Sequence, residues 1–223
     1  MKKIKLLVYH GSRDETKNKS FLEMVNRLQA KAQDHPVLGC FLEFGSPLLE
    51  NMMAQYPQDY EVTVIPLFFL KGKHYEEDLK DVAIQADSPV NILPPLVEDD
   101  HFIRFIQQSY DIKEPFILAA HGSAHFEAKQ ALCAMAKRLA EKRGMPWLVV
   151  MLAEDGAQEK LVNFQAEYGN VTVLPLTFGK GKVYHELKSL ASSNTNFHMM
   201  DPLSFNQSIE RYILKKIMIL EGS

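Results

Sequence analysis

An internal repeat constrains this chain more than any other feature. Val62–Leu79 reads VTVIPLFFLKGKHYEEDL, and Val171–Leu187 reads VTVLPLTFGKGKVYHEL. The apolar run in each copy is too short to span a membrane and is rich in β-branched residues, so it reads as a buried strand. The glycine between two lysines supplies a tight turn, and the acidic residues that follow suit the first turn of a helix. Each copy is therefore a strand, a loop and a helix start, the junction at which open α/β sheets bind ligands. One difference stands out: His74 lies just past the first loop, and Val183 holds that place in the second.

The repetition extends over the whole chain. His10-Gly11-Ser12 follows a first strand, Ile4–Tyr9, and returns 111 residues later as His121-Gly122-Ser123 after Phe116–Ala120. Glu43, near the end of a strand Val37–Phe44, returns at the same offset as Glu154 after Trp147–Ala153. Ser20 with Glu23 forms a capping box for a helix over Phe21–Gln33. Ser46-Pro47 opens another, with proline at its first position. The first half continues with a strand Val62–Phe69, a helix to Ala86, a strand Val90–Leu93 and a helix Asp99–Tyr110. The second half offers helices Phe126–Arg143, Gly156–Tyr168 and Phe205–Leu220 and a last strand, Phe197–Met200. Asp111–Pro115 is short and polar and serves as the linker, giving domains 1–111 and 112–223. Alternating strands and helices predict a parallel sheet covered on both faces in each half. Two lobes of this size can enclose a ligand cleft.

Composition excludes several classes. At 46% hydrophobic and 24% charged residues the chain is an ordinary globular protein. A net charge of -3 gives no reason to expect nucleic acid. Cys40 and Cys133 are far apart in apolar surroundings, which is neither a disulfide framework nor a zinc or Fe-S motif. The N-terminal MKKIKLLVYHGSRD lacks the long apolar region and cleavage site of a signal peptide, so a cytoplasmic protein with no membrane association is expected. No phosphate-binding G-x-x-x-x-G-K-[ST] or G-x-G-x-x-G follows a strand, so no nucleotide is expected. No G-x-S-x-G elbow marks Ser12 or Ser123 as a nucleophile.

The chemistry concentrates at strand ends. His10 and His74 follow the first and third strands, and Glu43 the second, so a parallel sheet brings all three to one edge. Two imidazoles and a carboxylate suit a divalent first-row metal such as Fe, Co, Ni or Zn. They also suit proton transfer near neutral pH. Either histidine alone reads more simply as a structural residue; their joint placement favours chemistry. Gly11 and Ser12 shape the turn. Arg13, Lys71 and Lys73 flank the same edge, where they suit an anionic ligand or simply a solvated surface.

VYHGSRD, the Glu43 strand and PLFFLKGKHYEEDL together resemble the CbiX/SirB family, the ATP-independent chelatases that insert metal into sirohydrochlorin. H-G-S-R joined to P-L-F-x-x-x-G-x-H-x-x-x-D carries the resemblance, which covers nearly the whole chain. It implies a chelatase-like fold of two tandem flavodoxin-like lobes. It implies that His10 and His74 bind metal and accept pyrrole protons, with Glu43 assisting. The metal is then a substrate, Co2+ or Fe2+, with Ni2+ also compatible, in siroheme or cobalamin biosynthesis. The second half keeps His121 and Glu154 but not a counterpart of His74, and His185 lies two positions too far on. It is expected to serve as the opposite wall of the cleft.

Metal insertion requires a bent macrocycle, a base for two departing protons and a partly desolvated metal. The histidines suit the last two tasks. Phe68, Phe69 and Leu70 suit holding the ring, and Gly11, Ser12, Arg13, Lys71 and Lys73 suit its polar rim of carboxylates. A monomer with a small-molecule tetrapyrrole as its partner is expected. Two rivals remain: a non-catalytic tetrapyrrole or metal carrier, and a phosphoryl-handling enzyme using His10 and Arg13. No partner-histidine motif or further arginine cluster supports the latter.

Overall fold

A computed structural model of the protein describes residues 1–32, 36–72, 74–112, 114–123, 125–141, 144–192 and 196–221, except for the side chains at 74 and 221. The first half runs β1 (Lys2–Tyr9), α1 (Glu15–Lys31), β2 (Val37–Phe41), α2 (Leu49–Met53), β3 (Tyr60–Pro66), α3 (Lys80–Ile84), β4 (Val90–Ile92) and α4 (Asp100–Ser109). The second repeats the order as β5 (Phe116–Ala120), α5 (Phe126–Ala140), β6 (Trp147–Met151), α6 (Ala157–Tyr168), β7 (Val171–Pro175), α7 (Lys182–Ser192), β8 (Phe197–Met199) and α8 (Gln207–Glu221). A π-helical turn, His74–Leu79, precedes α3, and a 3-10 turn, Leu96–Glu98, precedes α4.

Each half builds one four-stranded sheet, ordered β2-β1-β3-β4 and β6-β5-β7-β8, with every pairing parallel. This is the expected α/β architecture. β1 shows why: its last six residues are buried without a break, as a strand covered on both faces requires. Ile4, Leu6 and Val8 pack with Leu49, Met52, Met53 and Leu79 on one face. Tyr9, from the alternate set, meets Phe21 of α1 and Phe205 on the other, with ring centroids 5.5 and 5.0 Å away. In the second sheet Ile117, Ala119, Val171 and Val173 pack with Leu161 and Leu187. In both sheets the order of strands reverses between the first and third strands of each half, the switch point that opens a crevice at the carboxyl edge.

The packing units do not coincide with the sequence repeats. One comprises Met1–His101 with Phe205–Ser223, the other Phe102–Ser204. The halves thus exchange their last helices. Most of α4 packs in the second unit, where Gln107 Nε2 donates to the Arg138 carbonyl at 3.0 Å. α8 packs in the first, where the buried Glu210 carboxylate receives Arg27 Nε at 2.7 Å and Lys31 Nζ at 2.5 Å. Buried Asp99 accepts from Tyr212 at 2.6 Å and Lys216 at 2.5 Å. Burial alone would raise the Asp99 carboxyl, but Lys216 and Tyr212 outweigh it and hold it below its ordinary value.

Two local expectations are corrected. α1 starts at Glu15, capped by Asp14 rather than Ser20, with the Asp14 carboxylate accepting from Thr16 N at 3.0 Å. The polar, largely exposed first turn hid this start from the apolar periodicity; the expected end at Gln33 falls outside the described residues. Ser46-Pro47 does not open a helix: its peptide bond is cis, and α2 begins at Leu49. Most remaining boundaries differ by a few residues at element ends. No helix among the described residues is long and apolar enough to cross a membrane.

Candidate active site

The carboxyl edge of the first sheet is assembled by close backbone approach. The ladder between β1 and β2 continues past both strands: Leu42 N donates to the Tyr9 carbonyl at 3.1 Å and Glu43 N to that of His10 at 3.0 Å. Gly11, at φ 96°, passes directly over this junction, where a Cβ would lie 1.8 Å from the Glu43 carbonyl oxygen. Only glycine fits there. His10 Nε2 thereby stands 3.2 Å from Glu43 Oε1, with the two side chains 35% and 43% exposed. The pair is open to a ligand.

Phe44 is the residue with positive φ, 52°, among the described non-glycine residues. An aromatic residue in this conformation costs about 1–3 kcal/mol. Its ring lies parallel to the His10 imidazole, 5° between planes and 6.3 Å between centroids, and the Arg13 guanidinium sits 5.0 Å from its centre. Asn18 of α1 binds the two loops together. Its Oδ1 accepts from Ser12 N and its Nδ2 donates to the Ser12 carbonyl, both at 2.8 Å, while Nδ2 also reaches the Phe44 carbonyl.

The other side of the edge follows β3. Leu67 N donates to the Val8 carbonyl at 2.8 Å, and Leu96 N and Val97 N donate to the Phe68 and Phe69 carbonyls at 2.8 and 3.2 Å. Phe69 and Leu70 are half-buried in this braced loop, and Phe68 packs on the core. Lys71 Nζ lies 2.8 Å from Glu98 Oε2, and this bond holds the lysine above its ordinary pKa. Lys73 lies outside the described residues. His74 opens the π-helical turn, in which Tyr75 N and Glu76 N both donate to the Gly72 carbonyl at 2.9 Å; the His74 side chain lies outside the described residues. Among the described side chains, no three His, Cys, Asp or Glu converge as a metal site.

The CbiX family model matches residues 5–112 and again 115–218. The chain belongs to the CbiX family. SirB from Bacillus subtilis with Fe3+ is similar in structure, with a TM-score of 0.78 at 20% identity over 100% of this chain and 98% of that one. The sirohydrochlorin chelatase SirB from Bacillus subtilis subspecies spizizenii, in complex with cobalt, gives 0.74 at 18% identity over 98% and 94%. DR2241 from Deinococcus radiodurans, described as a multi-domain protein with structural similarity to chelatases, gives 0.66 at 16% identity over 96% of this chain and 54% of that one. At such identities these likenesses speak for the fold. A search of curated protein sequences finds no significant match.

In this CbiX chain, three features of the edge escaped the sequence reading. Asn18 and Phe44 carry no motif of their own, although the repeat offers a signal: Lys129 and Asp155 occupy their places 111 residues on. The third is the π-helical turn. Buried Tyr75 and Leu79 are four residues apart, whereas buried Tyr184 and Leu187, in the regular α7, are three apart. The first copy thus holds one extra residue just after His74, which the wider turn absorbs. Such single-residue insertions into helices occur frequently at functional sites.

Proposed function

We propose that this CbiX-family protein is an ATP-independent sirohydrochlorin chelatase that inserts Co2+ or Fe2+ into the macrocycle in siroheme or cobalamin biosynthesis. The observation that carries the reading is the His10–Glu43 pair, 3.2 Å apart at the carboxyl edge where β1 and β3 part. The turn opened by His74 follows β3 on the same edge. The SirB structures described with Fe3+ and with cobalt support the choice of metals.

Insertion exchanges two pyrrole protons for one divalent cation. His10 and His74 each accept one of the two protons from the pyrrole nitrogens, and the adjacent Glu43 carboxylate stabilises the imidazolium formed at His10. His10 and His74 bind the incoming metal through neutral imidazole nitrogens, so metal binding and proton acceptance alternate on the same groups. Arg13 and Lys73 meet the carboxylates on the macrocycle rim. Lys71 is drawn toward Glu98 and contributes positive potential rather than an independent contact. Gly11 and Ser12 shape the loop beneath the substrate, and Phe69 and Leu70 supply its apolar wall. The protein acts as a cytoplasmic monomer on a free small molecule.

The deciding experiment mixes purified protein with sirohydrochlorin and Co2+, Fe2+ or Ni2+ in turn and follows the absorption spectrum. Catalytic turnover beyond the spontaneous rate is expected. Tight binding of the macrocycle without turnover would make the protein a carrier instead.

A further inference from the structure

Phe44 is the residue at this edge whose conformation the fold alone does not account for. The residue is 44% exposed although its backbone is held left-handed. A residue serving only as a turn there would be glycine or asparagine, and one serving only as packing would be buried. The second half makes the contrast concrete. Its corresponding residues are Asp155 and Gly156, and the left-handed conformation falls on the glycine, at φ 73°. The first half instead places an aromatic side chain in that conformation, anchors its carbonyl through Asn18 and sets its ring parallel to His10 under the Arg13 guanidinium.

We propose that Phe44 is a substrate-contacting residue: its ring is the platform on which a pyrrole ring of the planar macrocycle stacks, with Arg13 pairing to the carboxylates on that ring's rim. The inference rests on the chelatase reading above. An aromatic face stacks on a flat conjugated ligand at little entropic cost, because only two side-chain torsions are fixed. With 6.3 Å between the Phe44 and His10 ring centres, the platform adjoins the base.

The test compares wild type, Phe44→Gly, Phe44→Leu and Phe44→Tyr. Equilibrium binding of metal-free sirohydrochlorin, steady-state insertion of Co2+ and thermal melting are measured for each. Phe44→Gly should raise Kd and KM about tenfold, equivalent to about 1.4 kcal/mol, with kcat within about twofold. Its Tm should stay level or rise, since glycine adopts positive φ without strain. Phe44→Tyr should bind within about twofold of wild type, whereas Phe44→Leu, apolar but not flat, should stay weak. Wild-type affinity in Phe44→Gly, or a lowered Tm with unchanged Kd, would make the ring a packing element and overturn the proposal. If the wild-type protein binds no sirohydrochlorin, the chelatase reading itself fails and the platform falls with it.

Discussion

The two halves build the same strand-end junction and use it differently. In the first, Glu43 faces His10, and neutral Asn18 ties the loops through their backbones. In the second, Lys129 stands where Asn18 would, and it takes Glu154 Oε1 at 2.6 Å while Lys160 takes Oε2 at 3.0 Å. Hydrogen bonds from Lys129 and then Lys160 hold the Glu154 carboxyl below its ordinary value. That carboxylate is occupied by two cations. After the third strand, the position of His74 belongs to Val183, which packs against the second core. The fold tolerates either outcome, because the strands and their buried faces are the same. On the proposed function, the difference between the halves lies in a few side chains at one edge rather than in the architecture.

The sharpest way to break this comparison is to remove one histidine from each half. His10→Ala should lower kcat/KM for Co2+ insertion on the order of 100-fold or more, while His121→Ala should change it less than about twofold. Both should melt within a few degrees of wild type, because both positions lie at an open edge. Equal losses at unchanged Tm would put the second half into the chemistry.

A deletion sharpens the same contrast. Removing Glu77 shortens the first copy to the spacing of the second, so the π-helical turn should wind as a regular helix. Tyr75 and Leu79 would then be three apart, like Tyr184 and Leu187, and would still share a face. Stability should be retained, as circular dichroism and melting would report. Insertion should fall by about 100-fold, because on the proposed mechanism re-aiming the turn that His74 opens misplaces a group that binds the metal. Full activity in the deletion variant would remove the π-helical turn from the mechanism.

Asn18→Ala should act more mildly. It removes three hydrogen bonds to the backbones of Ser12 and Phe44. A loss of about 1–3 kcal/mol by urea unfolding is expected, with about a tenfold loss in kcat/KM as the His10–Glu43 geometry loosens. Asn18→Asp keeps the acceptor for Ser12 N but not the donor, and should fall between Ala and wild type. Activity unchanged by Asn18→Ala would show that Gly11 and the extended ladder suffice to set the pair.

The sequence disclosed what repeats and what is apolar. β1, β3 and their second-half counterparts were legible as continuous apolar runs, and the histidines at their ends were legible as an edge. The π-helical turn was not, since one added residue leaves the local pattern helical and shows only when the buried tyrosine-to-leucine spacings are compared. Phe44 looked like the end of a strand because its backbone conformation has no sequence signature in an aromatic residue. The exchange of α4 and α8 was equally hidden: the helix order repeats faithfully, and only the partners differ. Buried charges such as Glu210 mark such docking surfaces, but an isolated glutamate in a helix resembles a solvated one until its neighbours are known.

Two carboxylates, each held by two cations, give the smallest and final contrast. The Glu210 side chain is 3% exposed between Arg27 and Lys31, whereas that of Glu154 is 29% exposed between Lys129 and Lys160. Burial would raise the Glu210 carboxyl, but Lys31 and Arg27 outweigh it and hold it below its ordinary value. A depressed folded-state pKa gives stability that is present above the unfolded-state value, about 4.3 for glutamate, and is lost as pH falls through the folded value. Melting between pH 7 and pH 3 should therefore show acid destabilisation below about pH 4.3, and Glu210→Gln should reduce its slope. At neutral pH, Arg27→Ala leaves a buried carboxylate half-satisfied and should cost about 1–3 kcal/mol. Lys160→Ala leaves Glu154 with Lys129 and with water, and should change stability by less than about 0.5 kcal/mol. If Lys160→Ala proved as costly as Arg27→Ala, the lysine clamp of the second half would be holding its loop in place, and the idle carboxylate there would have acquired a structural duty that Glu43 does not share.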